Sequence, residues 1–229
     1  CAREDLNKKT DRVMAVLDPI KLVLTNYPEG EHELLVAENN PEDENSGSRT
    51  MPFSRNLFIE RSDFKEEANA KYFRLTIGKE VRLKNGYIIK GEAVAKDQNG
   101  EIIAVHATYD PDSKSGSGSE ASLRKVKGTI HWVSQEQALD AEVRLYDRLF
   151  SEAAPDANKE IDFLTFVNNS SLEVITAKVE PSLANTQVGK QVQFQRTGYF
   201  VVDPDTTENH LVFNRTVPLR DSWGKTTNN

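Results

Sequence analysis

Short runs of β-branched and aromatic residues, separated by turn signals, constrain the fold of this chain more than any other feature. Residues 87–96 and 101–109 are two such runs, and they follow Asn-Gly pairs that begin at residues 85 and 99. Asn-Gly pairs favour the tight turns of β-hairpins. Similar runs recur at roughly 10-residue spacing, which is typical of β-barrels and β-sandwiches. We therefore expect a mainly β fold built from closed or sandwiched antiparallel sheets.

Residues 124–150 are predicted to form two strands joined by a short polar connection. Ile130, Trp132 and Val143 are examples of their large apolar side chains, which suit a half-buried pleated surface. We expect these strands to form part of the core.

One short helix is predicted within the β-rich pattern. Asp63 followed by Glu66 resembles a helix-capping pair, and residues 64–73 form the best helical run after it. Residues 113–122, here called the Ser-Gly loop, contain Ser-Gly-Ser-Gly-Ser and are predicted to be flexible.

Composition excludes several classes of protein. The 229 residues carry a formal net charge of -7, which argues against a protein that holds nucleic acid through overall basicity. Cys1 is the only cysteine, so neither an intramolecular disulfide framework nor a cysteine zinc cluster is expected. No apolar run approaches the ~20 residues of a membrane helix, so we expect a cytoplasmic protein. The start at Cys1, without methionine, suggests a piece of a longer protein.

Positive charge is concentrated locally despite the negative total. Residues 71–90 carry six Lys or Arg residues and one acid, whereas residues 28–45 carry seven acids and neither Lys nor Arg. Alternation along residues 80–84 places Arg82 and Lys84 on one face of a predicted strand. Such a face is more often merely solvated, but arginines in a basic patch can also pair with phosphate or stack on unpaired bases.

Gln193, Arg196 and Tyr199 form a second polar group near the C-terminal end. Amide and guanidinium donors can read the edges of splayed RNA bases, although surface residues are the commoner interpretation of such a group. In a regular strand Gln193 and Arg196 would face opposite sides. Either a bulge or the end of the strand must therefore re-aim one of them.

The other candidate sites fail on spacing. The four histidines are scattered without the spacing of metal ligands, and the Ser-Gly repeat lacks the context of a phosphate-binding loop. No catalytic residue and no metal site are therefore predicted.

Segments along nearly the whole chain resemble one family of enzymes, in the family's order. They are Met14-Ala-Val-Leu-Asp-Pro, Gly47-Ser-Arg, Pro52-Phe-Ser, Glu66-Glu-Ala-Asn, Gly78-Lys-Glu-Val-Arg-Leu, Lys125-Val-Lys-Gly-Thr-Ile-His-Trp-Val-Ser, Val143-Arg-Leu-Tyr-Asp-Arg-Leu-Phe, Gly198-Tyr-Phe and Phe213-Asn-Arg-Thr-Val. The chain thereby resembles the C-terminal anticodon-binding region of bacterial glutaminyl-tRNA synthetases.

The resemblance implies a specific architecture: two tandem antiparallel β-barrels with one or two short helices. It assigns residues 1–11 to the end of a helical connector. Residues 12–120 would form the first anticodon-binding barrel and residues 121–209 the second. A C-terminal strand within residues 210–225 is expected to return to the first barrel.

The resemblance also implies contacts with the anticodon. It places them at Asn7, Arg12, Arg74, Arg82, Lys84, Gln193, Arg196 and Ser222. In the family, residues at the positions of Arg12, Gln193 and Arg196 hold the middle uridine of the anticodon.

The outer two bases of the anticodon are assigned in the same way. The third base, a guanine, would be contacted by Arg74, and the first base by Arg82 and Lys84. Lys84, Ser222 and Phe73 depart from the arginine, threonine and lysine that are familiar at these positions. Lysine cannot form the two-pronged contact of arginine, so the first-base contact would differ.

The implied function belongs to a longer enzyme. Glutaminyl-tRNA synthetase joins glutamine to its tRNA with ATP and Mg2+, on a domain with His-Ile-Gly-His and Lys-Met-Ser-Lys-Ser type motifs, and neither motif occurs here. We therefore expect a part of a class I aminoacyl-tRNA synthetase that has no cofactor of its own. Its expected partner is the anticodon stem-loop of tRNA(Gln), with neither DNA nor membrane, and it is expected to be a monomer.

Two alternatives remain open at this point. One is the C-terminal region of an archaeal or eukaryotic type of glutamyl-tRNA synthetase, which competition between tRNAs would distinguish. The other is a β-barrel interaction module that binds no RNA. A partner whose affinity is insensitive to salt would indicate the latter, because phosphate contacts weaken steeply with salt.

Overall fold

The computed structural model describes residues 2–219, and β-strands dominate its secondary structure. The strands are β1 Asp11–Val13, β2 Ala15–Val16, β3 Pro19–Leu24, β4 His32–Glu38, β5 Ser48–Ser54, β6 Asn56–Glu60, β7 Glu80–Leu83, β8 Ile88–Lys96, β9 Ile102–Tyr109, β10 Thr129–Ile130, β11 Trp132–Ser134, β12 Leu139–Tyr146, β13 Leu172–Val179, β14 Gln191–Phe194, β15 Gly198–Val202 and β16 Leu211–Pro218. The helices are α1 Ala2–Lys9 and α2 Glu120–Leu123, with single 3-10 turns at Arg61–Asp63, Pro111–Ser113, Phe163–Phe166 and Pro181–Leu183. None of the described helices is long and apolar enough to cross a membrane.

The strands form two nearly closed seven-stranded barrels. The first barrel has the strand order β10-β7-β8-β9-β3-β6-β11, and the second has the order β1-β14-β15-β16-β12-β13-β2. Strands β4 and β5 form a separate two-stranded ribbon. The predicted pair of β-barrels with short helices is confirmed. Most neighbours are antiparallel, but β1 with β14, β10 with β7, β12 with β16 and β3 with β9 are parallel.

The first barrel is inserted in sequence between two segments of the second barrel. Strands β1 and β2 precede the first barrel in sequence, yet they pair with β14 and β13 of the second barrel. Strands β10 and β11 pair with β7 and β6 of the first barrel, and β12 then enters the second. The predicted core strands of residues 124–150 are therefore divided between two cores.

The C-terminal strand lies in the second barrel, so its predicted return to the first barrel is wrong. Strand β16 pairs with β15 on one side and in parallel with β12 on the other. Its apolar residues Leu211 and Phe213 are buried in the second core, which explains this position. Residues 220–225 lie outside the described part of the chain. The domain limits at residues 12, 120 and 209 stay a prediction.

The two cores are rich in aromatic contacts. In the first core, Phe53 of the ribbon meets Trp132 of the first barrel edge-to-face, with ring centroids 5.1 Å apart. In the second barrel, Phe194 stacks on Phe200 at 4.1 Å, and Phe213 meets Phe194 at 5.2 Å. Aromatic pairs of this kind add roughly 0.5–1.5 kcal/mol each beyond the burial of their surface.

The helix predicted over residues 64–73 does not form, and that prediction is wrong. Only the 3-10 turn Arg61–Asp63 is helical, and the chain then loops back on itself. Leu75 N donates to Asp63 O at 3.0 Å, and Lys65 N donates to Leu75 O at 3.2 Å. These long-range backbone bonds replace the intrahelical ones, so tertiary pairing overrides the local preference.

The hairpin predicted at the first Asn-Gly pair is confirmed. Leu83 N donates to Tyr87 O at 2.8 Å, which leaves residues 84–86 in the turn. Asn85 has φ 59, a left-handed conformation that asparagine tolerates better than most residues. This turn places Lys84 directly after the last residue of β7.

Two buried tyrosines of the first barrel share one carboxylate. Tyr27 OH and Tyr87 OH donate to Glu33 Oε1 at 3.3 and 2.7 Å, and Lys114 Nζ lies 2.7 Å from Glu33 Oε2. Burial and the neighbouring Glu33 charge both raise the pKa of Tyr27 and of Tyr87 well above the ordinary value. Both phenols therefore stay protonated in the folded chain when free tyrosine ionises.

We expect the free energy of unfolding to fall as pH rises above about 10, by about 1.4 kcal/mol per pH unit for each of these tyrosines. The raised pKa of the folded state means that only the unfolded chain loses these protons in that range, so full stability is present below pH 10. Denaturant unfolding between pH 9 and 12 would measure the slope. Glu33→Gln should reduce it, because the amide removes the charge that raises both pKa values. Equal slopes in the two proteins would contradict this assignment.

Candidate nucleic-acid interface

Two of the predicted arginines meet at one buried carboxylate. Asp63, at the end of the Arg61–Asp63 turn, has a side chain that is only 3% exposed. Arg74 Nε lies 2.8 Å from Asp63 Oδ1, and Arg196 Nη2 donates to the same oxygen at 2.7 Å. Arg196 Nη1 also donates to Asp63 Oδ2. Arg74 belongs to the loop before β7 and Arg196 to the second barrel, so this cluster joins the two barrels.

A tight turn brings Arg196 into this position. Strand β14 ends at Phe194, and Thr197 N donates back to Phe194 O at 2.9 Å. Arg196 has φ 67, so the backbone reverses at this residue. The end of the strand thus directs Arg196 to Asp63 and His131. Gln193 instead lies opposite Arg12 and Tyr199, so the structure does not gather Gln193 and Arg196 in one cluster.

His131 extends the cluster into the first barrel. Its Nδ1 lies 3.0 Å from Arg196 Nη1, and its Nε2 lies 3.3 Å from Glu60 Oε1. Arginine only donates hydrogen bonds, so the network assigns Nδ1 as an acceptor and places the ring proton on Nε2, facing Glu60. Contacts with Asp63 and with His131 together fix the plane of the Arg196 guanidinium.

An open cavity of about 840 Å³ lies against this cluster. Its lining residues include Lys71, Tyr72 and Phe73 besides the two arginines and His131. Burial, with a smaller contribution from Asp63, raises the pKa of Tyr72 to about 12. The phenol is therefore a proton donor at neutral pH, and it donates to Ser62 O at 3.0 Å.

Three other predicted residues form a second cluster around β1. Arg12 lies opposite Gln193 in the parallel pairing of β1 with β14. Arg12 Nη2 donates to Asn7 Oδ1 at 3.1 Å and lies 3.0 Å from Glu42 Oε1. Tyr199 OH donates to the same Asn7 oxygen at 3.3 Å. Arg12 Nε is buried and has no hydrogen-bond partner within residues 2–219.

Lys84 faces this second cluster across another cavity. The cavity is about 470 Å³, and Arg12, Lys84 and Gln195 line it together with Val36 and Asn85. Gln195 is only 8% exposed. Its position two residues beyond Gln193 puts it on the same side of the chain, and this spacing is a signal for Gln195 that the sequence carries.

The guanidinium of Arg82 is hydrogen-bonded to the Ser-Gly loop and to Arg124. Its Nη1 donates to Ser113 O at 2.9 Å and to Ser115 Oγ at 3.2 Å. Its Nη2 donates to Ser122 O at 2.8 Å and to Arg124 O at 3.4 Å. Burial, and next the charge of Arg124, lower the pKa of Arg82. The loop predicted to be flexible is thus held by a guanidinium, and Arg82 lies apart from Lys84's cavity.

Comparison with known proteins assigns this chain to a family. A family model described as the anticodon-binding domain of class I tRNA synthetases (E and Q) matches residues 10–110. A second model with the same description matches residues 129–203. The chain belongs to this family.

Relatives of this anticodon-binding family member include two glutamine-tRNA ligases. The one from Rhodopirellula baltica is 56% identical over 224 residues, which cover 97% of this chain and 37% of the relative. The one from Proteus mirabilis is 52% identical over 225 residues, which cover 98% of this chain and 40% of the relative. The chain thus spans about two fifths of the length of these relatives.

The family member's predicted site residues fall into three places. Asn7, Arg12 and Gln193 gather around β1 with Lys84 across a cavity, and Arg74 and Arg196 share the cluster at Asp63. Arg82 lies in a third place, bound to the Ser-Gly loop. These positions were predicted by resemblance alone, and their contacts with an anticodon stay a prediction. Ser222 lies outside the described residues.

Asp63 is the cluster member that the sequence analysis misassigned. Its spacing from Glu66 fits a helix cap, but its carboxylate pairs with two arginines instead. One of these arginines lies 133 residues away along the chain, so no local pattern could have indicated the contact.

Proposed function

We propose that this chain binds the anticodon stem-loop of tRNA(Gln) as the anticodon-reading part of a glutamine-tRNA ligase. Its family and the names of its relatives support the proposal. The observation that carries it is the convergence of Arg74 and Arg196, from different parts of the fold, on the buried Asp63 beside an open cavity. The cavity volume of about 840 Å³ falls within the usual range for ligand sites.

Arg74 is held in an orientation suited to reading a base. Its Nε is bound to Asp63, whereas its side chain remains 41% exposed. Nη1 has only a 3.5 Å contact with Phe73 O, and Nη2 has no partner within the described chain. A guanidinium with two available terminal nitrogens can donate both to O6 and N7 of guanine. Prior orientation by Asp63 reduces the entropy lost when the base binds.

The second cluster offers donors of another kind. Arg12 and Gln193 lie side by side, and the Gln193 carboxamide forms no hydrogen bond with any described side chain or backbone group. An amide and a guanidinium together can bond the carbonyl and N–H edges of a splayed uridine. Lys84 would contribute a single ammonium across the cavity. We keep Asn7 in this group because its carboxamide oxygen orients Arg12.

Arg82 would act differently from the contact that resemblance implies. Its terminal nitrogens are occupied by the Ser-Gly loop, whose Ser115 and Gly116 line the cavity of Arg12 and Lys84. We therefore include Arg82 as a residue that positions this wall of the cavity. The contact of Ser222 with the anticodon region also remains part of the proposal.

The remainder of the proposal concerns the whole ligase. Joining glutamine to tRNA with ATP and Mg2+ would belong to the parts of the relatives that this chain does not match. Residues 12–120 and 121–209 would each contribute anticodon contacts, in a monomeric cytoplasmic enzyme. A glutamyl-tRNA synthetase is the second candidate, because the family description covers both E and Q enzymes. Competition between tRNA(Gln) and tRNA(Glu) would separate the two.

We expect Arg196→Ala to weaken binding of a tRNA(Gln) anticodon stem-loop by about 5- to 150-fold, which corresponds to about 1–3 kcal/mol for a base-reading arginine. Binding to a stem-loop changed at the middle uridine should already be weak and should change little. Fluorescence anisotropy with both stem-loops would measure this. Arg148→Ala, at a residue that lines neither cavity, is the matched control. Wild-type protein that binds both stem-loops equally would contradict the proposed function.

A further inference from the structure

A third cavity, here called the lysine groove, lies beside Arg74 on the first barrel. Its volume is about 570 Å³, and it shares Tyr72, Phe73 and Arg74 with the cavity of the arginine cluster. Four lysines line it: Lys79, Lys90, Lys125 and Lys127. The groove therefore continues directly from the candidate base-reading arginine.

The positive charge of the lysine groove is poorly neutralised. Glu80 is its only acidic lining residue, and Arg124 binds that carboxylate. Lys79, Lys125 and Lys127 are exposed and form no ion pair within the described residues. In a chain with a formal net charge of -7, such a concentration of unpaired cations costs repulsion unless an anion binds there.

The backbone that carries the groove lysines is held by specific contacts. Lys127 Nζ lies 5.6 Å from the centroid of the Phe73 ring, a cation–π distance. A Cβ at Gly128 would lie 2.6 Å from Phe73 O, so the two backbone segments touch directly. Arg82 N donates to Gly128 O at 2.8 Å, which ties the same segment to β7. The lysines on either side of residue 126 thus project from anchored backbone.

We infer that the lysine groove binds the phosphates of the RNA strand that continues from the base held by Arg74. This inference rests on the proposed function and adds residues that it does not include. A polyphosphate strand fits because the cations line an elongated path that opens onto a base-reading site. The ring of Phe73, 47% exposed at the junction, also offers a surface on which a ribose or base can pack. An acidic peptide would not require the groove to open onto a base-reading site.

The test is the salt dependence of stem-loop binding by the purified chain. Lys125→Gln and Lys127→Gln are each expected to lower the slope of log K against log salt by about 0.7–0.9, the value for one lost phosphate contact. At 0.1 M salt this corresponds to about five- to eightfold weaker binding. The preference for the middle uridine should stay unchanged, because phosphate contacts carry no sequence information. Lys159→Gln, at an exposed lysine outside the groove, should leave the slope unchanged.

The same titrations separate this inference from the proposed function. The slope is read on the stem-loop with the altered middle base as well, so it remains measurable if the chain shows no anticodon preference. A preference for uridine with unchanged slopes in both groove variants would overturn the lysine groove alone. Equal binding of the two stem-loops with reduced slopes would overturn anticodon reading and support the groove. No binding of either stem-loop at low salt would overturn both.

Discussion

Glu180→Ala is expected to lower the free energy of unfolding by about 3–5 kcal/mol, the usual cost of removing one partner from a buried ion pair. The Glu180 side chain is 3% exposed and that of Arg49 is 10% exposed. Arg49 Nε and Nη2 both donate to the carboxylate, and Met14 N donates to Glu180 Oε2 at 2.8 Å. The substitution would leave a buried guanidinium and a buried N–H without their acceptor.

This pair also connects separate parts of the fold. Arg49 belongs to strand β5 of the ribbon, Glu180 follows β13 of the second barrel, and Met14 lies between β1 and β2. Loss of the carboxylate should therefore loosen the ribbon as well as lower global stability. Chemical denaturation would measure the global effect, and hydrogen exchange along residues 48–54 would measure the local one.

Asp5→Ala provides the matched control for Glu180→Ala. Asp5 pairs with Lys9 four residues along helix α1, but the two side chains are 60% and 67% exposed. An exposed pair of this kind contributes only about 0.3–0.5 kcal/mol. If Glu180→Ala cost no more than Asp5→Ala, the assignment of Glu180 as a buried anchor would be wrong.

The second large effect is expected at Asp63. Asp63→Asn should remove most of the preference for the cognate anticodon, about 1–3 kcal/mol or 5- to 150-fold, while binding to any stem-loop persists. The carboxylate accepts hydrogen bonds from Arg196 and forms an ion pair with Arg74. An amide has one acceptor oxygen and turns two N–H donors toward a guanidinium, so at least one arginine must move. The variant keeps all its Lys and Arg side chains, so attraction to phosphate persists, whereas lost orientation of the arginines removes base reading.

Glu66→Gln is the control for Asp63→Asn because it makes the same change of charge nearby. Glu66 forms an ion pair with Lys96, and both side chains are 42% exposed. We expect this variant to keep the anticodon preference of the wild type. Comparison of the two stem-loops by anisotropy gives the preference, and thermal unfolding of each variant shows whether Asp63→Asn remains folded. A folded Asp63→Asn protein with full preference would refute the role of Asp63.

Local patterns in the sequence account for most of the strands. Alternation of buried Val81 and Leu83 with Arg82 predicts the face that the structure shows for β7. The Asn-Gly pair at residue 85 predicts the following hairpin for a backbone reason that operates within a few residues. Such features need no knowledge of the rest of the molecule.

Strand order and the arginine cluster depend on distant residues. The apolar run from Leu211 to Phe213 indicates a buried segment, but not which barrel buries it. The helix signal over residues 64–73 fails for the same reason, since its backbone partners and the acceptor role of Asp63 arise from tertiary pairing. Candidate site residues were identified by resemblance, whereas the lysine groove required the three-dimensional arrangement.

The insertion of the first barrel between two sequence segments of the second also constrains how this region can evolve. The first barrel combines residues 19–109 with residues 129–134, and the second combines residues 11–16 with the strands after residue 138. The first barrel thus lies between the two segments of the second, so no single genetic crossover between two relatives can replace one barrel and leave the other intact. At least one offspring barrel would be a hybrid with strands from both parents. The two barrels are therefore expected to be inherited together, and a change of anticodon preference to arise by substitutions within the barrels rather than by exchange of whole barrels.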